Sequence, residues 1–331
     1  MKNVYLHAIV FCLSVLIVVG KVSEAESKLL SAYISDSPSA SVPAWVAKET
    51  GIFKKYGLDI DLVFIDGSTR GIQSLLAGDL SFTEAVGTSA INGRIAGGDI
   101  AIVNGLVNTL PYYVVGKSVI KSRDDLKGRT AAVHIPGTAA DCALRLALKK
   151  VGIAYNQIQA ITVGGGPARI TSVIGGQTDF TVVSDAEKIQ GEKAGLKMII
   201  DMAELKVPFL YTCMVTSRQR IREQPDAVRG MVEAIAVAIH FFKTRKEESI
   251  KIMSKYTRGP SRTILEGAYS AYSQLFVEDT YPTLEGLRNT LELQSSWDPK
   301  AAKAKGEDFV DLRFVDQLRS TGFIEKLYGR K

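Results

Sequence analysis

The chain has 331 residues, of which 46% are hydrophobic and 23% are charged, and its 41 basic and 35 acidic side chains give a net charge of +6. This composition excludes a disordered or low-complexity protein, and the length allows two compact units of ordinary size. A nucleic-acid partner is not indicated, because no run of Lys and Arg is interleaved with aromatic residues.

The N-terminal residues 1–25 differ in composition from the rest of the chain. Lys2 precedes the apolar run "AIVFCLSVLIVVG", which is too short to span a bilayer, and Ser23 and Ala25 supply the small residues of a cleavage site. We therefore predict a secretory signal peptide over residues 1–25, a mature chain that begins at Glu26, and a periplasmic location. An uncleaved N-terminal anchor is the alternative interpretation.

From residue 29 onward, short β-type runs alternate with amphipathic helical segments. The strand-like runs are "LLSAYIS", "DIDLVFI", "SFTEA" and "IAIVNGL", and the helical segments between them include "VPAWVAKET", "RGIQSLLAG" and "TSAINGRIAG". Alternation of strand and helix at this spacing predicts βαβ units and a mainly parallel sheet with helices on both faces. We assign residues 26–114 to the first part of lobe 1.

A segment of this first lobe recurs later in the chain. Residues 72–82 read "IQSLLAGDLSF" and residues 170–180 read "ITSVIGGQTDF", with Ile, Ser, Gly and Phe in the same places. Around the second copy the alternation restarts with "DDLKGRTAAVHI", "IQAITV", "ARITSVIGG" and "FTVVS". The repeat predicts two similar α/β lobes, of which lobe 2 spans residues 115–215.

The last third of the chain is typical of a helical layer. Pro225 and Asp226 make a favourable helix start, because Pro in the first turn loses no hydrogen bond and Asp interacts well with the positive end of the helix dipole. The strand-like run "FLYTCMVTS" precedes this layer and brings the chain back from lobe 2. We therefore expect residues 216–331 to complete lobe 1, and the two crossings near residues 114–117 and 212–216 to act as a hinge.

Four stretches together resemble a known family. They are "PAWVAKETGIFKKYGLDIDLVFIDG", "LLAGDLSFTEA", "SRDDLKGRTAAVHIPGT" and "REQPDAVRGMVEAI". In this order, behind a signal peptide, they resemble the periplasmic substrate-binding proteins of ABC importers, in the group that binds nitrate, taurine, aliphatic sulfonates and thiamine precursors. The resemblance implies a two-lobed type II periplasmic-binding-protein fold of the α/β class, with mixed sheets flanked by helices and a hinge between the lobes.

The resemblance also implies a function. A monomer of this family captures a small-molecule ligand in the cleft between its lobes and delivers it to an ABC permease at the membrane, without a cofactor. The expected ligand is a small anionic organic solute of the sulfonate, taurine or nitrate kind. A pyrimidine thiamine precursor is the alternative, and it would need stacked aromatic rings with an acidic partner such as Glu84, Asp185 or Glu187.

In open α/β sheets, ligands bind in the crevice at the carboxyl ends of the strands. Helices that begin there present free backbone N–H groups and a positive dipole end, which together bind anions. Small or polar residues of five such loops are therefore the candidate ligand-binding residues: Ser37, Gly67, Ser68, Thr88, Ser89, Gly137, Thr138, Ser184 and Asp185. Each hydroxyl also has a structural alternative, because it can simply cap its helix. Thr138 followed by Asp141 resembles a capping box.

Larger side chains complete the candidate site. Trp45 and Tyr112 are the aromatic residues that we expect to wall the cleft, although a half-buried structural role is the alternative for each. Arg70 and Arg169 occupy neighbouring places in the two copies of the repeat, and either could reach an anionic ligand. An exposed position at a helix start is the commoner outcome for such an Arg.

The sequence contains no catalytic or metal-binding motif. Its three His residues are His7, His134 and His240, and it lacks H-E-x-x-H, a Cys pair at zinc spacing, a Walker loop and G-x-S-x-G. We predict a binding protein with no metal. The alternatives are an exported enzyme or a sensor domain on the same fold. Cys142 and Cys213 lie in apolar stretches and are expected to be small buried hydrophobic residues.

Overall fold

A computed structural model describes residues 29–34, 38–136, 138–257, 259–295 and 298–330. The predicted signal peptide over residues 1–25 lies outside the described residues, as do Ser37 and Gly137.

Within these ranges the chain alternates between strands and helices. The strands are β1 (Leu29–Ile34), β2 (Ile60–Ile65), β3 (Phe82–Val86), β4 (Ile100–Val107), β5 (Tyr113–Gly116), β6 (Thr130–Val133), β7 (Gln159–Thr162), β8 (Phe180–Val183), β9 (Lys197–Asp201) and β10 (Thr212–Ser217). The helices up to the last strand are α1 (Val42–Glu49), α2 (Ile52–Lys55), α3 (Ser68–Ala77), α4 (Gly87–Ile95), α5 (Ala139–Lys150), α6 (Gly166–Ile174) and α7 (Asp185–Lys193). After β10 follow α8 (Arg218–Glu223), α9 (Pro225–Thr244), α10 (Lys246–Tyr256), α11 (Arg262–Leu275), α12 (Leu284–Gln294), α13 (Arg313–Ser320) and α14 (Phe323–Leu327).

The strands form two five-stranded mixed sheets of the same design. The first has the order β2-β1-β3-β10-β4, and the second has the order β7-β6-β8-β5-β9. In each sheet the first three strands are parallel, and the fourth, which lies next to a crossing between the sheets, runs antiparallel to its neighbours. Two mixed sheets flanked by helices confirm the predicted fold class.

The repeated segments hold equivalent positions in these two sheets. Residues 72–82 run from α3 into β3, and residues 170–180 run from α6 into β8. The same two backbone hydrogen bonds close both turns, from Gly78 to Leu75 and Asp79 to Ser74 in one copy, and from Gly176 to Val173 and Gln177 to Ser172 in the other. These paired bonds are those of a Schellman motif, which ends a helix on a left-handed residue. The prediction of a structural repeat is therefore confirmed.

The C-terminal helices pack on the first sheet. The longest of them in the described chain, α9, buries Val228, Met231, Ile235, Ile239 and Phe242, which recur at intervals of three or four residues along one face. This face joins the same hydrophobic core as Val46 of α1. The helical layer thus lies against elements of the first sheet and its helices, and its assignment to lobe 1 remains a prediction.

The chain passes from one sheet to the other close to the predicted crossings. Tyr113 already belongs to β5 of the second sheet, and Thr212 already belongs to β10 of the first. The ranges 26–114, 115–215 and 216–331 remain a prediction of domain organisation. The observed strand bounds differ from them by only a few residues at each crossing.

Both cysteines of the described chain are free and fully buried, as expected of small hydrophobic residues. Burial raises the pKa of the Cys142 thiol to about 12, so the thiol stays protonated at neutral pH. Burial likewise raises the pKa of Cys213. Among the helices described, none combines the length and the apolar character that crossing a membrane requires.

Candidate functional site

A cavity of about 610 Å³ opens between the two sheets. From the first sheet, its lining includes the starts of α3 and α4, with Gly67, Ser68, Thr88 and Ser89. From the second sheet and the crossing before it, the lining includes Tyr112, Thr138 and Ser184. Seven of the candidate residues thus come together in one cleft, as the convergence of loops at strand carboxyl ends predicts. Their contact with a ligand remains a prediction.

Two of the candidates lie elsewhere. Trp45 is only 1% exposed and does not line the cavity, because its ring stacks on Tyr256 and meets the edge of Tyr33 in the core. Asp185 also lies outside the lining, and its carboxylate accepts a hydrogen bond from the Tyr113 hydroxyl on the neighbouring strand. Burial raises the pKa of Asp185, although that bond and Lys188 oppose the shift. Both side chains therefore have structural partners in the places where ligand contacts were expected.

On the first-sheet wall, Ser68 fixes the start of α3. Its hydroxyl oxygen accepts a hydrogen bond from the backbone N–H of Val86, at 3.0 Å, and the residue is 1% exposed. This bond ties the beginning of α3 to the end of β3. The two helix starts of this wall are therefore held in a fixed relation to each other.

The start of α4 presents two uncommitted hydroxyls to the same wall. Thr88 and Ser89 occupy the first turn of α4, and within the described chain neither hydroxyl makes a hydrogen bond to protein. Gly87 precedes them at a close contact between two backbone segments, since a Cβ on it would lie 2.2 Å from the carbonyl oxygen of Leu210. Because Gly87 has no side chain, the chain segment at Leu210 packs directly against the start of α4. The Gly87 N–H donates a hydrogen bond to the carbonyl oxygen of Tyr211 at 3.1 Å.

On the second-sheet wall, the candidate hydroxyls are already engaged. Thr138 caps α5, because its hydroxyl oxygen accepts from the Asp141 N–H at 3.3 Å while its own proton goes to the carbonyl of Ile135 at 2.9 Å. Ser184 donates its hydroxyl to a carboxylate oxygen of Glu187. Helix capping, the structural alternative for these residues, is the role that the hydrogen bonds of Thr138 support. The Ser184 hydroxyl is instead bonded to Glu187 in the first turn of α7.

Arg169 and Glu187 add opposite charges to this wall. Arg169 is 3% exposed and donates to the backbone carbonyls of Val182, at 3.0 Å, and Gly164, at 2.6 Å. Burial lowers the pKa of its guanidinium. Glu187 Oε2 accepts from the Ser184 N–H at 3.2 Å and from the Ser184 hydroxyl. Both residues are considered from the sequence, but neither is counted among the candidate ligand-binding residues of the loops.

Arg70 lies at the rim of the cavity. Its guanidinium is 3.3 Å from the Asp66 carboxylate, and both side chains are 69% exposed. Such an exposed pair is worth little in stability and exchanges readily with water or a ligand. Arg70 can therefore reach toward a bound anion without leaving a buried charge unpaired.

Tyr112 lies where the two crossings meet. Its ring contacts the edge of the Tyr211 ring, with centroids 5.7 Å apart, and the two residues belong to opposite crossings. Tyr112 therefore lies on the cleft wall beside both crossings. Other lining residues, among them Asn92, His134 and Ile135, were not predicted as site residues. Their only signal was their position beside the loops after β3 and β6.

No group of three or more His, Cys, Asp or Glu side chains in the described ranges has the arrangement of a metal site. What the cleft offers is hydroxyl donors, helix starts and a few charged side chains. This arrangement can bind a small polar molecule by hydrogen bonds and charge.

Two mixed sheets that face each other across such a cleft define the class of periplasmic-binding-protein folds. The solved structure of the sulfonate-binding protein SsuA from Methylobacillus flagellatus superposes with a TM-score of 0.73 at 14% identity, covering 91% of this chain and 95% of that one. The aliphatic sulphonate binding protein SsuA of Escherichia coli gives a TM-score of 0.70 at 17% identity, with coverage of 86% and 92%. These likenesses establish the fold.

The family follows from the sequence match. Residues 39–249 match the family described as NMT1/THI5 like, and the chain belongs to that family. A relative named as a binding protein in Brucella abortus is 29% identical over 233 residues, which is 68% of this chain and 70% of the relative. The predicted resemblance is thereby confirmed at the level of the family.

Proposed function

We propose that the protein is the solute-binding component of an ABC importer, which captures a small acidic organic solute between its two sheets and delivers it to a membrane permease. It acts as a periplasmic monomer, exported through the signal peptide at residues 1–25. The single observation that carries this proposal is the first-sheet wall of the cavity, where Thr88 and Ser89 present hydroxyls at a helix start.

Physical chemistry favours an anion at this wall. The first backbone N–H groups of a helix have no partner within the helix, and the helix dipole places partial positive charge at the same end. Starts of α3 and α4 lie side by side here, with Arg70 at the rim. An acidic headgroup at this position can accept several charge-assisted hydrogen bonds, which are stronger than neutral ones.

The relatives agree with this reading. The two SsuA proteins with the same fold are named for sulfonate binding, and another solved structure of this fold, at 13% identity, is the ligand-binding component of an ABC-type import system from Staphylococcus aureus. Such distant likeness carries no ligand over by itself. It supports the proposal because the chemistry of the cleft leads independently to the same kind of solute.

A pyrimidine thiamine precursor remains the second candidate ligand. The observation in its favour is that the Tyr112 ring and the Glu187 carboxylate line the same cavity, which gives an aromatic surface and an acceptor for an amino group. Glu84 and Asp185, the other acidic residues considered for this role, do not line it. An enzyme or sensor on this fold is a weaker candidate, because no lining feature supplies a catalytic arrangement.

A thermal-shift screen tests the proposal. The mature chain would be screened against sulfonates, nitrate, small carboxylates and aminopyrimidines at matched ionic strength, because salt alone alters exposed charge interactions. Stabilisation by sulfonates or carboxylates, at concentrations where the pyrimidines have no effect, is the expected result. Stabilisation by pyrimidines alone would favour the second candidate, and stabilisation by none of these compounds would contradict both.

A further inference from the structure

The second-sheet wall of the cleft differs from the first in what occupies its helix start. A Cβ on Gly166, the first residue of α6, would lie 2.6 Å from Glu187 Oε1, so this carboxylate oxygen rests directly on the backbone of the helix start. Gly166 and Glu187 both line the cavity. The position at which a helix favours an anion is thus already taken by an acidic side chain of the protein.

The hydrogen bonds of Glu187 leave one oxygen available. Oε2 accepts from the N–H and the hydroxyl of Ser184, which fixes the carboxylate in place. Within the described chain, Oε1 accepts no hydrogen bond from a protein donor. The nearby Arg169 directs its N–H groups to the carbonyls of Val182 and Gly164 instead. An ionised carboxylate can accept several hydrogen bonds, so Oε1 is an unfilled acceptor on the cleft wall.

The two walls therefore offer different hydrogen-bonding groups to a ligand. The wall with Thr88 and Ser89 offers donors, whereas the wall with Glu187 offers an acceptor oxygen, because the N–H groups of Arg169 on that wall are directed to backbone carbonyls. A solute with an acidic group alone would leave the acceptor without a partner when the cleft closes. Burial of a carboxylate oxygen that has no hydrogen-bond donor is unfavourable, so such a solute would be disfavoured.

We propose that Glu187 is a specificity-determining residue that selects solutes carrying a protonated amino group in addition to the acidic group. The ammonium donates to Oε1, and the acidic group lies at the starts of α3 and α4. This inference rests on the proposed function and makes that function more specific, because it names the solute as a small zwitterion.

Paired probes test the inference. Calorimetric titration would compare 2-aminoethanesulfonate with ethanesulfonate, and 3-aminopropionate with propionate, on the wild-type chain. The amino compound of each pair is expected to bind about tenfold more tightly or better, because it adds one charge-assisted hydrogen bond. Equal affinities within each pair would overturn the role of Glu187 while leaving the proposed function standing. If none of the four acids binds, the proposed function fails, and the inference fails with it.

Two variants sharpen the comparison. Glu187→Gln keeps an acceptor for Ser184 and removes the charge. The ratio of affinities within each pair should then fall, and the amino compound should bind no more than about threefold more tightly than its partner. The matched control is Glu192→Gln on the same helix, an exposed residue that should leave the ratio unchanged. A ratio that survives Glu187→Gln, or that falls equally in the control, would contradict the inference. The wild-type comparison decides the matter even if a variant fails to fold.

Discussion

Thr88 and Ser89 differ from Ser68, Thr138 and Ser184 because their side chains have no protein partner in the described chain. Sequence reasoning could place all of these hydroxyls in loops at strand ends. It could not separate them, because whether a hydroxyl caps a helix depends on where the neighbouring loop runs. The observed bonds of Thr138 to Ile135 and Asp141 supply that information.

The first prediction follows from this difference. The double variant Thr88→Val/Ser89→Ala should weaken binding of ethanesulfonate by roughly 1.5–3 kcal/mol for each hydrogen bond lost to the charged group, measured by calorimetry. The matched control is Ser320→Ala/Thr321→Val, an exposed pair at the end of α13, which should leave affinity unchanged. Thr138→Ala should instead lower stability by about 1 kcal/mol through the lost cap. Unchanged affinity in the double variant would place the acidic group elsewhere.

Other residues show where sequence reasoning stops. For Arg169 the sequence left open a ligand contact or, more commonly, an exposed helix start, yet the residue is buried because its guanidinium donates to the backbone carbonyls of Gly164 and Val182. The apposition of Glu187 and Gly166 joins two helices, α6 and α7, whose packing no local pattern reveals. Trp45 is buried because α1 packs against α9 and α10, which follow much later in the chain.

Asp179 carries a pH-dependent prediction. Burial raises the pKa of its carboxyl, but hydrogen bonds from Thr130 and Lys117 outweigh that effect and hold the pKa below its ordinary value of 3.8. A lowered folded-state pKa stabilises the fold at pH values above the unfolded pKa, and this contribution is lost as the pH falls through the folded value. Asp179→Asn should therefore cost about 1 kcal/mol at neutral pH, and the difference from wild type should shrink below about pH 4.

Urea unfolding of both proteins across this pH range measures the effect. The control is Asp124→Asn, which disturbs only an exposed ion pair with Lys127 and should change stability by less than about 0.5 kcal/mol. A cost that does not vary with pH would mean that the Asp179 charge does not contribute.

At the scale of elements, the repeated helix–turn–strand unit was predictable in detail. Its apolar spacing, its Gly and its final Phe are local features, and local features determine how a helix ends. The sequence did not reveal the order of the strands, because β10 enters the first sheet from far along the chain. Long-range pairing of this kind leaves only an ordinary apolar run in the sequence.

The shared turn gives the third prediction. Gly78 and Gly176 have φ angles of 86° and 79°, and no atom outside the turn lies within 4 Å of a Cβ built on either. Replacement by Ala should therefore cost only the backbone strain of the left-handed conformation, about 1–2 kcal/mol at each site, and the two costs should be alike. The control Gly267→Ala, at an exposed position inside α11, should be neutral or slightly stabilising. Markedly different costs in urea unfolding would mean that the turns are not equivalent.

At the scale of the whole molecule, the two sheets and their cleft follow from the repeat, and the family match agrees with it. The crossings leave a signal in the sequence because each is a break in the alternation of strand and helix, and the residue ranges assigned to the lobes remain a prediction. The chemistry of the cleft was less accessible, since it depends on which side chains the two halves bring face to face.

The fourth prediction concerns motion. The sheets are joined by two crossings that meet at Tyr112 and Tyr211, which is the arrangement of a hinge. Saturation with a binding acid should close the cleft and lower the radius of gyration measured by small-angle X-ray scattering. A control acid that fails to bind in calorimetry should leave the scattering unchanged. Tight binding with no compaction would contradict hinge closure, even if the site is correct.

The central claim is that the cleft binds a solute through its acidic group. Its most direct test is calorimetric titration of the wild-type chain with two pairs of compounds. One compound of each pair carries the acid, as in ethanesulfonate and 2-aminoethanesulfonate, and the other carries the neutral sulfonamide of the same shape. The account predicts saturable binding of one acid molecule per chain, and binding of the matching sulfonamide at least about tenfold weaker, because the helix starts favour negative charge. Equal binding of acid and sulfonamide, or no binding of either acid, would contradict the account.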